Sequence, residues 1–558
     1  MGRLLLAPAL LAVGLSLLAQ TSVSSPDKKA DEHPASPCLV AGRVVTAAEG
    51  NPLKSARVAL VPERSRSDTR IYAATSDGDG LFVLKDVAPG RYQFFATHTG
   101  FVDQQYQATG SDGGALLALK PGQKISDVLF RMTLAAVISG RVNNEDGEAM
   151  VRARVEALRR PTEEETEEEN PFASRKQRLL PLASAQTDDR GQYRIFGLKP
   201  GDYYLRATDS FEPDNGMSIG QDYWVRQYLG TEYAPVYYPG VAQVGQAEAL
   251  SLKPGSEVQA DFSMQRVKVV DVAGHVVGPD GPAKDTWVML EASGEDDFSS
   301  NRQDTTDEKG AFKFKGIPPG SYAIVVYQRR EGIMTGQARQ KIEVGGENIE
   351  ALTIPLGGGA TFRGRITTAG AGSVSWDRLG VNLSPVEEGE QLGGHGRVKQ
   401  DGTFEITSVP DGNYAFYVWG LERDWYVKSA RLGPDDILEK GLQVEKGASG
   451  GRIEVVVSSA SAQVEGAVTD GDQAMIGAHV RIMPDPDTPY NRFRSRSATT
   501  DQTGHFLMAG LAPGKYRVSA RSPASPGSIP LKSDPQIVTL SERDHTTVDL
   551  VIVKPQAE

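Results

Sequence analysis

Beyond its first forty residues the chain carries short runs in which apolar and polar residues alternate. Phe82 and Leu84 form one such run, Tyr92, Phe94 and Ala96 another, Tyr203, Leu205 and Ala207 a third, and Val258, Ala260, Phe262 and Met264 a fourth. A period of two puts one face of each run in a core and the other in water, so these runs predict half-buried β-strands. They are bounded throughout by Gly, Pro, Asp and Asn, and the pattern predicts an all-β protein.

The boundaries themselves repeat. The series Asp77, Gly80, Phe82, Leu84, Pro89-Gly90, Tyr92 returns as Asp188, Gly191, Tyr193, Ile195, Pro200-Gly201, Tyr203, and as Asp307, Gly310, Phe312, Phe314, Pro319-Gly320, Tyr322. The last copy is Asp501, Gly504, Phe506, Met508, Pro513-Gly514, Tyr516. A fourth copy keeps Gly402, Phe404, Ile406 and Tyr414 but has Lys399 for Asp and Pro410-Asp411-Gly412 for Pro-Gly. Asp-x-x-Gly fits a type I turn, and Pro-Gly a type II turn with Gly90 at positive φ, so both are expected to close β-hairpins.

Each copy opens on Gly-x-(Val/Ile), at Gly42, Gly140, Gly274, Gly364 and Gly466, and closes on another alternating run such as Val128, Phe130, Met132. Gly42 and Gly80, Gly364 and Gly402, and Gly466 and Gly504 share one separation. Copies of roughly 100 residues suit complete domains rather than solenoid units. The expected architecture is five tandem antiparallel β-sandwiches, at 38–135, 136–268, 269–358, 359–459 and 460–558, each folding by itself. With short linkers, five such bodies in file would reach about 150 Å.

Gly-x-Val, then Ala-x-Val as at Ala56-Arg57-Val58 and Ala478-His479-Val480, then Asp-x-x-Gly-x-Phe and Pro-Gly-x-Tyr together resemble the carboxypeptidase regulatory-like domains. These have a prealbumin (transthyretin-like), Ig-like sandwich, similar to the B-type repeats of collagen adhesins and to starch-binding-like domains. The resemblance covers nearly all of 38–558. It implies accessory sandwiches of surface adhesins and stalks, or modules attached to hydrolases and transporters.

The start of the chain changes the picture of where it works. Arg3 precedes an apolar stretch from Leu4 to Leu18, which reads as a signal peptide over 1–19 with cleavage near Ala19 or Ser24, followed by a polar leader over 20–37. The expected address is exported: periplasmic, cell-surface or extracellular, with no membrane span in the mature chain. Cys38 is the single cysteine, so no intrachain disulfide is available, which suits a bacterial envelope protein. A net charge of −12 disfavours nucleic acid as a partner. The acidic run from Glu163 to Glu169 reads as a solvated loop.

Little in the sequence spells out chemistry. The 7 histidines stand in no metalloprotease spacing. Gly216-Met217-Ser218-Ile219-Gly220 matches a nucleophile elbow as a string but lacks the flanking strand and helix. Neither an enzyme nor a cofactor is expected. The second copy alone carries an insert, 208–246, crowded with Tyr223, Trp224, Tyr228, Tyr233, Tyr237 and Tyr238. Those rings suit either a ligand surface for polysaccharide or peptide, or packing over their own sandwich. Trp419, Trp425 and Tyr426 in the fourth copy suit packing. The expected function is that of a non-enzymatic spacer or binding protein with an adhesion or scaffold role. Carbohydrate binding through the insert is the alternative, and an accessory subunit of a hydrolase or transporter the third. Partners would be polysaccharide or an envelope or extracellular protein.

Overall fold

The computed structural model describes residues 36–63, 70–108, 114–161, 179–209, 231–292, 302–330, 333–370, 372–386, 392–523 and 530–553. Strands follow the alternating runs, and five separate apolar cores form, within 38–132, 136–264, 270–356, 360–457 and 462–552. Each core lies between two sheets. In the first sandwich the opening strand Cys38–Thr46 sits between Leu81–Val87 and the closing strand Lys124–Met132. The facing sheet runs Tyr72–Thr75, Arg57–Pro62, Gly90–Thr97, Leu116–Leu119. The other four sandwiches repeat this order.

One pair departs from the antiparallel expectation. The closing strand lies parallel to the opening strand in all five copies. Its carbonyl presses on the opening glycine, so that a Cβ at Gly42 would stand 2.1 Å from Val128 O, and one at Gly466 1.9 Å from Val548 O. The same glycine pairs with the turn aromatic, Gly42 with Phe82 and Gly466 with Phe506, and at Gly274 and Gly364 the rings of Phe312 and Phe404 cover the site where a side chain is missing. Two residues on, Val44 N donates to Gly80 O at 2.8 Å, and Val468 N to Gly504 O at 2.9 Å. The same contact recurs from Val142 N to Gly191 O, Val276 N to Gly310 O and Ile366 N to Gly402 O, so it joins the two glycines whatever the length of chain between them.

The punctuation does not make hairpins, and here the structure corrects the sequence reading. The Asp-x-x-Gly turn itself is as expected. Asp77 Oδ1 accepts from the N–H of Asp79 and Leu81, Gly80 N donates to Asp77 O at 3.1 Å, and Gly80 lies at φ 75°. The strands on its two sides, however, belong to opposite sheets. The Pro-Gly step is likewise a crossing between sheets, and Gly90, Gly201, Gly412 and Gly514 lie at φ 149–156°, far from the roughly +80° of a type II turn. The crossing is held by the tyrosine. Tyr92, Tyr203, Tyr322, Tyr414 and Tyr516 each donate a hydroxyl hydrogen bond to the carbonyl four residues earlier, at 2.7–3.0 Å. Each of these rings is buried in its core, an arrangement known from other sandwiches as a tyrosine corner. A turn's local chemistry says that the chain reverses, not which sheet its next strand joins.

The array is not an extended file. The last sandwich returns to the first, where Leu116 and Asp501 form a parallel bridge and Ile476 packs against the first core. The fourth meets the fifth through a stack of Tyr417 on Phe493, centroids 3.9 Å apart, and through Glu542, which accepts from Tyr426 and pairs with Lys428. Arg423 of the fourth approaches Glu63 of the first at 3.8 Å. Exposed strand ends and turn residues thus find partners in other sandwiches, and a line about 150 Å long is excluded.

Candidate functional site

Of the six aromatic residues in the insert, Tyr223, Trp224 and Tyr228 lie outside the described residues. The other three pack over their own sandwich. Tyr233 is buried with Arg266 over its ring, and Tyr238 meets Phe262 edge-on at 6.2 Å. Tyr237, 2% exposed, joins Leu158, Leu179 and Val244 in a small second core on the outer face of the sheet. Beneath it Arg206 donates to Glu156 at 2.6 Å. Burial opposes the Arg206 charge, but Tyr237 and Glu156 outweigh it and hold its pKa above the ordinary range. Trp425 and Tyr426 are buried as expected for packing, whereas Trp419 lies over Gly380 and stays exposed. The Glu163 to Glu169 run and the Gly216 to Gly220 string lie outside the described residues. Cys38 is buried, its thiol donating to Lys120 O. Among the described residues no three His, Cys, Asp or Glu side chains gather as a metal site, and no helix is long and apolar enough to cross a membrane.

Two cavities between sandwiches carry the remaining surface chemistry. The first, of about 670 Å³, lies between the third and fourth. In the strand Trp287–Ala292 the core takes Val288 and Leu290, which turns Trp287, Met289 and Glu291 outward into the cleft. Trp287 pairs in register with Tyr327, their rings 5.9 Å apart at 33°, and Trp287 remains 43% exposed. Glu291 is held by Arg339 at 2.8 Å. Burial, and then the Glu291 charge, raise the Tyr327 pKa, so its phenol stays protonated as a donor.

Asn382 and His395, paired in register, face them from the fourth sandwich with Ser384. The floor is fixed by Gln337, whose side-chain amide donates to Gly393 O at 2.7 Å and Ser408 O at 2.8 Å across the joint. An open indole beside a phenol, ringed by amide, imidazole and carboxylate groups, can hold a flat apolar face and hydrogen-bond its rim. Sequence reading missed this site because its walls come from separate repeats. Nor did Trp287 stand out locally, since Trp287-Val288-Met289-Leu290 is apolar throughout and its outward face shows only in the burial pattern of the strand.

The second cavity, of about 1230 Å³, lies where the first, fourth and fifth sandwiches meet. Its lining includes Arg378, Arg423, Arg494 and Arg496, with Glu63, Glu422 and Asp424 as the acidic counterparts and Tyr417, Tyr490 and Phe493 among the rings.

Residues 40–120 match the family model of the carboxypeptidase regulatory-like domain. No curated protein matches the chain. Among solved structures, the Bacillus anthracis TIE protein aligns at 12% identity over 74% of this chain and 73% of its own, with a TM-score of 0.15. The minor pilin GBS52 of Streptococcus agalactiae aligns at 14% over 41% and 96%, with a TM-score of 0.22. The major pilin subunit BcpA of Bacillus cereus aligns at 11% over 57% and 99%, with a TM-score of 0.14. Scores this low say nothing about function.

Proposed function

We propose that this is an exported, non-enzymatic binding protein of the cell envelope whose folded-back array holds a polysaccharide in the cleft between the third and fourth sandwiches. The observation that carries the reading is Trp287, open to the cleft beside Tyr327 and facing Asn382 and His395. Sugar rings present an apolar face and an equatorial rim of hydroxyls, and a platform of aromatic rings with polar groups around it answers both. Return of the last sandwich to the first disfavours the stalk reading, since a stalk gains its reach by extension.

The test is affinity electrophoresis of the mature chain against a panel of polysaccharides, with Trp287→Ala alongside. A binder retarded by wild-type chain and not by the variant, at an unchanged melting temperature, is the expected result. Equal retardation of both, or no retardation of wild-type chain by any of the panel, would remove the assignment.

A further inference from the structure

We propose that the cavity at the meeting of the first, fourth and fifth sandwiches is a second site, for an acidic saccharide whose carboxylate sits on Arg496. This cavity shares no lining residue with the Trp287 cleft. Arg496 lies on the edge strand Arg496–Thr499 and lines the cavity, to which its side chain is accessible. Its Nη1 donates to Phe493 O at 3.1 Å and Ser495 O at 3.0 Å, which fix the guanidinium in place. No acidic side chain forms an ion pair with it among the described residues, although its neighbour Arg494 is neutralised by Glu439. A carboxylate entering the cavity would therefore meet an accessible guanidinium already held in one orientation.

Neighbouring groups fit the same ligand. Arg494, whose Nε is buried without a hydrogen-bond partner, lines the cavity beside Arg496. Arg378, exposed and outside any ion pair among the described residues, adds a second cation from the fourth sandwich. With Arg423 facing Glu63 and Arg494 facing Glu439, Arg378 and Arg496 are the arginines of the lining outside any ion pair among the described residues. Tyr417, Tyr490 and Phe493 supply ring surface in the lining, which favours a ring-bodied acid over a bare inorganic anion. The volume, about 1230 Å³, exceeds the roughly 300–1,000 Å³ of a pocket for one drug-sized molecule and admits a short oligomer.

The test is calorimetric titration of the mature chain with a short oligogalacturonate, with a neutral hexose oligomer and inorganic sulfate as comparators. Oligogalacturonate is expected to bind, more weakly at high salt. Arg496→Gln should weaken it by about tenfold or more, the loss of one charge-assisted hydrogen bond, and Trp287→Ala should leave it unchanged, which separates this site from the other cleft. If Arg496→Gln fails to fold, Arg378→Gln on the opposite wall decides, with a smaller loss expected. The proposal is overturned if wild-type chain does not bind the acidic oligomer, if neither arginine variant weakens it, or if sulfate binds as tightly.

Discussion

Gln502 of the last sandwich clasps Ala118 of the first with both ends of its amide. Its Oε1 accepts from Ala118 N at 3.0 Å and its Nε2 donates to Ala118 O at 2.8 Å. A side chain thus imitates one residue of a neighbouring strand and satisfies an edge that would otherwise be left to water. Gln502→Ala removes both bonds, each worth about 0.5–1.5 kcal/mol net. Faster hydrogen exchange at Ala118 and a larger radius of gyration in small-angle scattering are expected. Unchanged exchange at Ala118 would mean that the two ends do not meet in solution.

The tyrosine corner separates two contributions at one residue. Tyr516→Phe keeps the buried ring and loses the bond to Ala512 O, a change of about 1–3 kcal/mol where a buried acceptor is left unpaired. Tyr516→Ala also empties the core and should cost about 3–5 kcal/mol. Because Ile476 packs on the first core, the larger lesion should speed exchange around Leu116 as well as in the fifth sandwich. Chemical denaturation of both variants, followed by exchange of the weaker one, checks the order and the spread.

The opening glycine is required by crowding. Gly42→Ala would set a methyl 2.1 Å from Val128 O and should cost about 1–3 kcal/mol or more by overpacking. Gly78→Ala, with nothing within 4 Å, is the control and should fall within about 0.5 kcal/mol of wild type. Equal melting of the two would show that the closing strand does not approach as described.

Acid should loosen the turns. Asp307 accepts from the N–H of Ala311 and Lys309, and those bonds hold its pKa below the ordinary 3.8. A folded-state pKa below the unfolded one gives stability that is complete above the unfolded value and is lost as pH falls through the folded value. Thermal melts taken from neutral pH down through the carboxylate range should therefore fall, and Asp307→Asn should flatten that fall. An Asp307→Asn acid limb as steep as wild type would assign the loss to other carboxylates.

Much of each sandwich was legible because its signals are local and repeated. The opening glycine, turn aspartate, core aromatic and corner tyrosine are all readable as spacing, and the first and third meet as a register pair. Ser76, Thr187, Thr306 and Thr500 went unread, although each is a buried hydroxyl before the turn aspartate that bridges two backbone groups. Sheet membership was not legible, since Asp77 and Gly80 fix a turn whatever lies beyond it. The two cavities were illegible for a stronger reason. Trp287 and His395, or Arg378 and Arg496, meet only through the packing of whole sandwiches, and no spacing rule spans that distance.

The parallel closing strand makes timing part of the design. In every copy the strand that completes the first sheet is the last to be synthesised, so the opening strand must wait for nearly its whole domain before its second edge is covered. The clasp waits longest, since Ala118 and Gln502 are 384 residues apart in sequence. For a flexible chain a loop of that length carries a closure entropy of about 5 kcal/mol, which grows only logarithmically with length. Preformed sandwiches shorten the free path, so closure is a docking step between finished bodies, and a nascent chain that emerges from its N-terminus must build the array before it can shut it.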